Sequence, residues 1–182
     1  MTRSILLAAT MLAALAGPAL AMNTVTVGGQ PMYPTKTIVA NALNSADHTT
    51  LVAAVKAAGL VGVLSGKGPF TVFAPTNEAF ADLPKGTVAT LIEPKNKAEL
   101  TKILEYHVVA GDYTTTRLRA LIYKHGGMVT LKTVEGQPLT VMMNGSDNLM
   151  VKDAKGGTAD ITIADVTQSN GVIQVIDHVL LP

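Results

Sequence analysis

The sequence predicts a single α+β domain, and three observations support this prediction. Apolar residues recur with a helical period between residues 37 and 106, whereas they alternate as in β-strands after residue 128. Turn signals rich in Gly, Pro and Asn separate the alternating segments. The length of 182 residues suits one domain. Helices gathered early and strands gathered late favour α+β over a doubly wound α/β sheet.

Residues 22–36 precede the helical part, and their glycines and prolines predict an irregular N-terminal arm. Two helices are expected next, a short one over residues 37–43 and a longer one over residues 49–58. In the longer helix Leu51, Val55 and Ala58 share a face. Gly59 follows at the position where a helix commonly ends.

The middle of the chain begins with a strand over residues 70–73, which are aromatic and β-branched. Thr76 then offers an N-cap for a helix that Leu83-Pro84 closes. Two further helices are expected over residues 86–91 and 97–106. The second of these has its apolar side chains at spacings of three and four residues, which is typical of a helix packed on one side.

The last third predicts strands over residues 128–134, 139–143, 149–151, 161–166 and 172–180. Asn144-Gly145 and Asn170-Gly171 are hairpin turn sequences between them. The final strand is apolar on both faces, so it should lie inside the sheet rather than at an edge. We expect His178 to lie on this strand as a hydrogen-bonded core residue.

The first 21 residues have the pattern of a secretory signal peptide. Arg3 is followed by an apolar run over residues 5–16, and Ala19-Leu20-Ala21 forms a small-x-small cleavage site. We expect cleavage after Ala21 and a secreted or periplasmic protein. No later segment is apolar enough over a sufficient length to be a transmembrane helix, so stable membrane insertion after cleavage is not expected.

Composition excludes several classes of function. The chain has no Cys, which excludes disulfide scaffolds, thiolate metal sites and cysteine nucleophiles. The net charge of +1 provides no basic face for nucleic acid. The four His residues lack the spacing of a metal site, and no phosphate-loop or nucleophile-elbow motif is present. We therefore expect no cofactor, no bound metal and no enzymatic activity.

Three stretches of the chain together resemble the fasciclin-like (FAS1) domain family. Residues 70–80 (FTVFAPTNEAF) resemble its first signature, and residues 170–182 (NGVIQVIDHVLLP) resemble its second. Tyr106-His107 lies between them and is similar to the central Tyr-His pair of the family. Their order and spacing agree, and the resemblance covers residues 37–182.

The resemblance implies a wedge of β-strands packed against a group of short helices. It also implies extracellular or periplasmic service in adhesion, with a cell-surface or matrix protein or polysaccharide as the partner. Tyr106, His107, Asp165 and Val166 stand where the family has been associated with partner binding. A second interpretation of Tyr106 and His107 is structural, with the hydroxyl and the imidazole tying a helix end to a neighbouring strand.

Two other functions remain open from the sequence. A periplasmic carrier of a small apolar ligand or a lipid would need an apolar pocket between helices and sheet, and a core without voids would exclude it. A hydrolase would need two converging carboxylates, or a His beside a Ser, in a deep pocket.

Overall fold

A short hairpin is the first element of the computed structural model, which describes residues 24–182. Its strands are β1 (Val25–Val27) and β2 (Gln30–Met32). Gly28 and Gly29, with φ of 58° and 72°, make the turn between them. The arm after residue 24 is therefore more regular than predicted. The predicted signal peptide, residues 1–21, lies outside the described residues.

Short helices follow the hairpin and continue to the middle of the chain. Within the described residues the α-helices are α1 (Ile38–Ala42), α2 (Thr49–Ala58), α3 (Val61–Leu64), α4 (Asn77–Ala81), α5 (Thr87–Leu91), α6 (Lys97–Tyr106) and α7 (Thr115–Lys124). The side-chain hydroxyls of Thr37, Thr76 and Thr114 each accept a hydrogen bond from the third residue of the following helix. These caps satisfy amides that would otherwise lack an intrahelical partner.

The remaining strands form one mixed sheet. They are β3 (Phe70–Pro75), β4 (Val108–Ala110), β5 (Met128–Lys132), β6 (Pro138–Asn144), β7 (Asn148–Lys152), β8 (Thr158–Gln168) and β9 (Gly171–Ile176). Their spatial order is β4-β3-β9-β8-β7-β6-β5. The pair β3–β9 is parallel and the other pairs are antiparallel. Val109 bridges to Thr133 just after β5, so the two ends of the sheet approach each other.

Two apolar clusters form the core, one on each side of β3 and β9. Val72 and Ala74 point to the first cluster, with the hairpin and helices α1, α2, α3 and α6. Phe73, between them in β3, points to the second cluster, with α7 and strands β5 to β8. This division follows from strand geometry, because successive side chains of a strand face opposite sides.

The α+β prediction is confirmed, and most of its elements form where the sequence placed them. β9 is an interior strand as predicted, because it lies between β3 and β8. It ends at Ile176, however, so the expectation of a core His178 is wrong. The His178 ring is exposed and its Nδ1 lies 2.9 Å from a carboxylate oxygen of Asp177. The elements α3, β4 and α7 were not predicted.

Candidate binding site

Tyr106 is the last residue of α6, and its ring is completely buried in the second cluster. The hydroxyl donates a hydrogen bond to the Pro138 carbonyl at 2.8 Å and accepts one from the Ala154 amide at 2.9 Å. Burial raises the pKa of the hydroxyl, so it stays protonated at neutral pH. Tyr106 therefore joins the end of α6 to the start of β6 and to the turn between β7 and β8.

His107 follows directly and is also buried. Its Nδ1 lies 2.7 Å from the Ile103 carbonyl and its Nε2 lies 3.0 Å from the Leu180 amide. These partners assign the neutral tautomer in which Nδ1–H donates and Nε2 accepts. Burial lowers the pKa of the imidazole to about 4, which agrees with a neutral ring. His107 therefore joins α6 to the C-terminal segment.

Asp165 and Val166 lie in β8, at an irregularity in its pairing with β9. Asp165 has a φ of 55°, in the left-handed region. One oxygen of its carboxylate accepts hydrogen bonds from the Thr115 amide and from Gln174 Nε2, both at 2.8 Å. Asp165 thereby fixes the start of α7, whereas Val166 is buried in the first cluster.

A cleft of about 790 Å³ opens between helices α4, α5 and α6 and the last four residues of the chain. Its apolar lining includes Phe80, Leu91 and Leu181, and His107 also contributes to it. Charged residues of both signs belong to the same lining: Glu99, Lys102, Glu135 and Lys155. A surface of this kind can bury an apolar side chain of a partner and pair with its charges.

A second, smaller cavity of about 70 Å³ lies between the hairpin, α1, α2 and the sheet. Its lining is almost entirely aliphatic, and it includes His107 and Val166. The structure thus brings two of the four predicted site residues to one cavity. Tyr106 and Asp165 contribute to neither cavity, and contact of these four residues with a partner stays a prediction.

Ser45 and His48 belong to the lining of the smaller cavity and form a pair. Ser45 Oγ lies 2.9 Å from His48 Nδ1, and both residues are buried. Burial lowers the pKa of His48, although the nearby Ala74 carbonyl opposes this effect. His48 Nε2 has no hydrogen-bond partner of normal geometry among the described residues. Within residues 24–182, no carboxylate hydrogen-bonds to the His48 ring as the acid does in a Ser-His-acid arrangement.

Among residues 24–182, no group of three or more His, Asp and Glu side chains is placed to hold an ion. In the same part of the chain, no helix is both long enough and apolar enough to cross a membrane.

Three features together define the class as a fasciclin-type α+β domain. They are a mixed sheet with a parallel β3–β9 pair, short helices around that sheet, and a buried Tyr-His pair at the end of α6. The chain belongs to the fasciclin domain family, because the family model for the fasciclin domain matches residues 46–182. The resemblance stated from the sequence is therefore confirmed.

Several known proteins are similar to this chain. Protein sll1483 of Synechocystis sp. is 49% identical over 148 residues, which are 80% of this chain and 73% of that protein. Cell surface glycolipoprotein MPB83 of Mycobacterium bovis is 38% identical over 124 residues, or 68% of this chain and 48% of that protein. Among solved structures, a FAS1 domain pair from the insect cell adhesion molecule fasciclin I superposes with a TM-score of 0.73 at 20% identity. That superposition covers 82% of this chain and 52% of the other.

Proposed function

We propose that this protein is a non-enzymatic adhesion or partner-binding module that works outside the cytoplasm. Membership of the fasciclin domain family supports this proposal. A relative named as a cell surface glycolipoprotein and the shared fold of a cell adhesion molecule support it further. The signal-peptide pattern of residues 1–21 agrees with a secreted or periplasmic location for the domain, residues 37–182.

The cleft between α4, α5 and α6 is the observation on which the proposal depends. Its volume of about 790 Å³ is large enough for several side chains of a partner. The lining combines aliphatic residues with two acidic and two basic side chains, which suits a peptide segment that carries an apolar anchor between charged residues. Phe80 is the one aromatic residue in that lining, so stacking against sugar rings has little support. We therefore favour a protein partner over a polysaccharide.

In this proposal Tyr106 acts from outside the lining, by holding the Pro138 carbonyl and the Ala154 amide, whereas His107 shapes the cleft directly. His107 contributes to the lining and holds the Leu180 amide, and the next residue, Leu181, also lines the cleft. Asp165 and Val166 form a second candidate region. Of these two, Asp165 is partly exposed and can offer its free lone pairs to a partner.

The test uses two matched substitutions, Ala98→Trp in the cleft and Ala120→Trp on α7. Both alanines are exposed on helices, and only Ala98 lines the cleft. Peptides are selected against the wild-type protein from a random phage-displayed library, and their affinities are measured by calorimetry. We expect Ala98→Trp to weaken binding at least tenfold and Ala120→Trp to leave it unchanged.

Three results would contradict the proposal: no peptide is selected, the selected peptides tolerate Ala98→Trp, or both variants weaken binding equally. A glycan array probed with the same three proteins tests the alternative partner. Glycan binding that Ala98→Trp abolishes would move the assignment from protein to polysaccharide.

A further inference from the structure

The smaller cavity has no part in the proposed partner binding, and its chemistry indicates a ligand of its own. Its walls come from four places: the hairpin (Val27, Met32), α1 (Ile38, Val39), α2 (Leu51, Val55) and the sheet (Val72, Ile173). All of these side chains are aliphatic or thioether groups, and all are buried. A site built in this way attracts hydrocarbon and repels ions.

Polar groups do not change this character. His48 and His107 contribute to the lining, but burial lowers the pKa of both rings, so both are neutral at neutral pH. Lys56 is the one residue of the lining with a full charge, and it is exposed to solvent. The interior is therefore uncharged, and the single positive charge lies where the cavity meets water.

The volume limits the shape of the ligand. About 70 Å³ is several times the ~10–15 Å³ that one water needs, but an apolar cavity of this kind stays dry. It is also about half of the ~150 Å³ that accommodates a benzene ring. A narrow alkyl chain fits such a space better than a ring does.

The cavity opens to the surface beside α1 and α3. Leu43 and Val61 belong to its lining, yet Leu43 is 50% exposed and Val61 is 37% exposed. Val63, on the same short helix as Val61, is 55% exposed. Apolar surface therefore continues outward from the opening, where the remainder of a chain longer than the cavity would lie.

From this arrangement we propose that the cavity binds the hydrocarbon tail of a single-chain amphiphile, with the head group in water beside Lys56. The tail contacts aliphatic walls, and the lysine favours an anionic or neutral head over a cationic one. Val27, Met32 and α1 lie before residue 46, where the match to the family model begins. Part of the site is thus built from residues outside the matched region.

Binding is measured by calorimetry with butanoate, hexanoate, octanoate, decanoate, decanol and decylammonium, each below its micellar concentration, so that the series begins with chains short enough to lie within the cavity. We expect affinity to rise about fourfold for each added methylene, the factor for moving one such group out of water, and to level off once the cavity is full. Decanoate and decanol should bind, and decylammonium should bind more weakly. Methyl resonances of Val39, Val55 and Val72 should shift on binding.

Matched variants locate the site. Ala42→Leu adds three carbons to a residue of the lining, whereas Ala53→Leu makes the same change on an exposed face of α2. We expect the first to weaken decanoate binding at least tenfold and the second to leave it unchanged. If Ala42→Leu does not fold, Val52→Leu, at another residue of the lining, replaces it. Ala98→Trp, in the cleft, should not affect decanoate binding, which separates this site from the proposed partner site.

The proposal is overturned if decanoate does not bind at millimolar concentration, if affinity does not depend on chain length, or if the folded cavity variants bind as well as the wild type. Vesicles of phosphatidylglycerol distinguish a free amphiphile from a membrane lipid. Flotation of the protein with these vesicles, without binding of monomeric decanoate, would show a membrane surface as the ligand instead and would refute the proposal.

Discussion

The buried imidazole of His107 makes the stability of this protein depend on pH in a way that can be calculated. Its pKa is about 4 in the folded protein, against 6.5 for an ordinary His. The folded state therefore binds this proton more weakly than the unfolded state does, and acid favours unfolding. The difference corresponds to about 3 kcal/mol of unfolding free energy between neutral pH and a pH below 4.

The pH window follows from the same two values. The contribution of neutral His107 is fully present above pH 6.5 and falls as the pH decreases from 6.5 to 4. The steepest slope in this range is about 1.4 kcal/mol per pH unit. Below pH 4 the contribution of this residue no longer changes.

Comparison with His107→Gln isolates this residue from the other titrating groups. Gln does not titrate, and it loses at least one of the two hydrogen bonds of the imidazole, so the variant should be less stable by about 1–3 kcal/mol at pH 7. Because only the wild type loses stability by protonating residue 107, the difference between the two proteins should shrink by about 2 kcal/mol when the pH is lowered to about 4.5.

The assay is urea unfolding followed by far-UV circular dichroism at several pH values between about 7.5 and 4.5. The extrapolated unfolding free energies of the two proteins are subtracted at each pH. A difference that stays constant over this range would refute the reasoning, because it would mean that His107 is protonated equally well in both states. A difference that grows towards acid would show a folded-state pKa above 6.5.

Four further changes have outcomes that the structure predicts, each measured by urea unfolding. Tyr106→Phe removes two hydrogen bonds and should cost about 1–3 kcal/mol, and no loss would mean that water replaces the hydroxyl. Asp165→Ala removes the hydrogen bonds that begin α7 and leaves a poorly suited residue at φ 55°, so it should cost about 2–4 kcal/mol. Gly171→Ala would place a Cβ 1.9 Å from the backbone oxygen of Phe70 and should prevent stable folding. At Gly156 an added Cβ would meet no heavy atom within 4 Å apart from its chain neighbours, so Gly156→Ala should cost about 1 kcal/mol from its positive φ alone. Equal effects of the two glycine changes would refute the steric argument.

Helices and strands that have a clear apolar pattern and a recognisable end signal in the sequence could be predicted from it. Helix α2 forms over the predicted residues 49–58, because its apolar face and Gly59 at its end are both visible in the sequence. Helix α7 was missed for the opposite reason. It is rich in Arg and Lys, and within it only Leu118 and Ile122 are buried, so its apolar face is too narrow to stand out from a charged segment.

His178 shows a limit of arguments from alternation. The apolar pattern continues to residue 180, but the pairing of the last strand with β8 stops at Ile176, although β8 itself extends to Thr158. One further backbone hydrogen bond, from the Asp177 amide to the Asp160 carbonyl, closes the pair. Leu180 is buried without belonging to a strand, and its amide donates a hydrogen bond to His107 Nε2 instead of to a neighbouring strand. A strand needs a partner as well as a pattern, and only the three-dimensional arrangement provides the partner.

The two cavities could not be predicted, because each forms where elements distant in the sequence fail to fill the space between them. The smaller one is enclosed by Val27, Val72 and Ile173, which are separated by up to 146 positions in the numbering. Whether their side chains meet or leave a gap depends on details of packing that residue types do not specify. Sequence reasoning could name only the condition for a ligand carrier, which was an apolar pocket between helices and sheet.

The placement of His107 also determines how its substitution should be interpreted in binding experiments. The residue contributes to the lining of both the cleft and the smaller cavity, and it holds the amide of Leu180. Replacing it would therefore alter the C-terminal wall of the cleft even if no partner atom ever touches the imidazole. Loss of partner binding in a His107 variant cannot by itself identify a contact residue. Ala98→Trp changes the exposed surface of the cleft without removing a side-chain hydrogen bond. Loss of partner binding in this variant therefore indicates that the partner occupies the cleft, whereas the same loss in a His107 variant could result from displacement of the C-terminal residues.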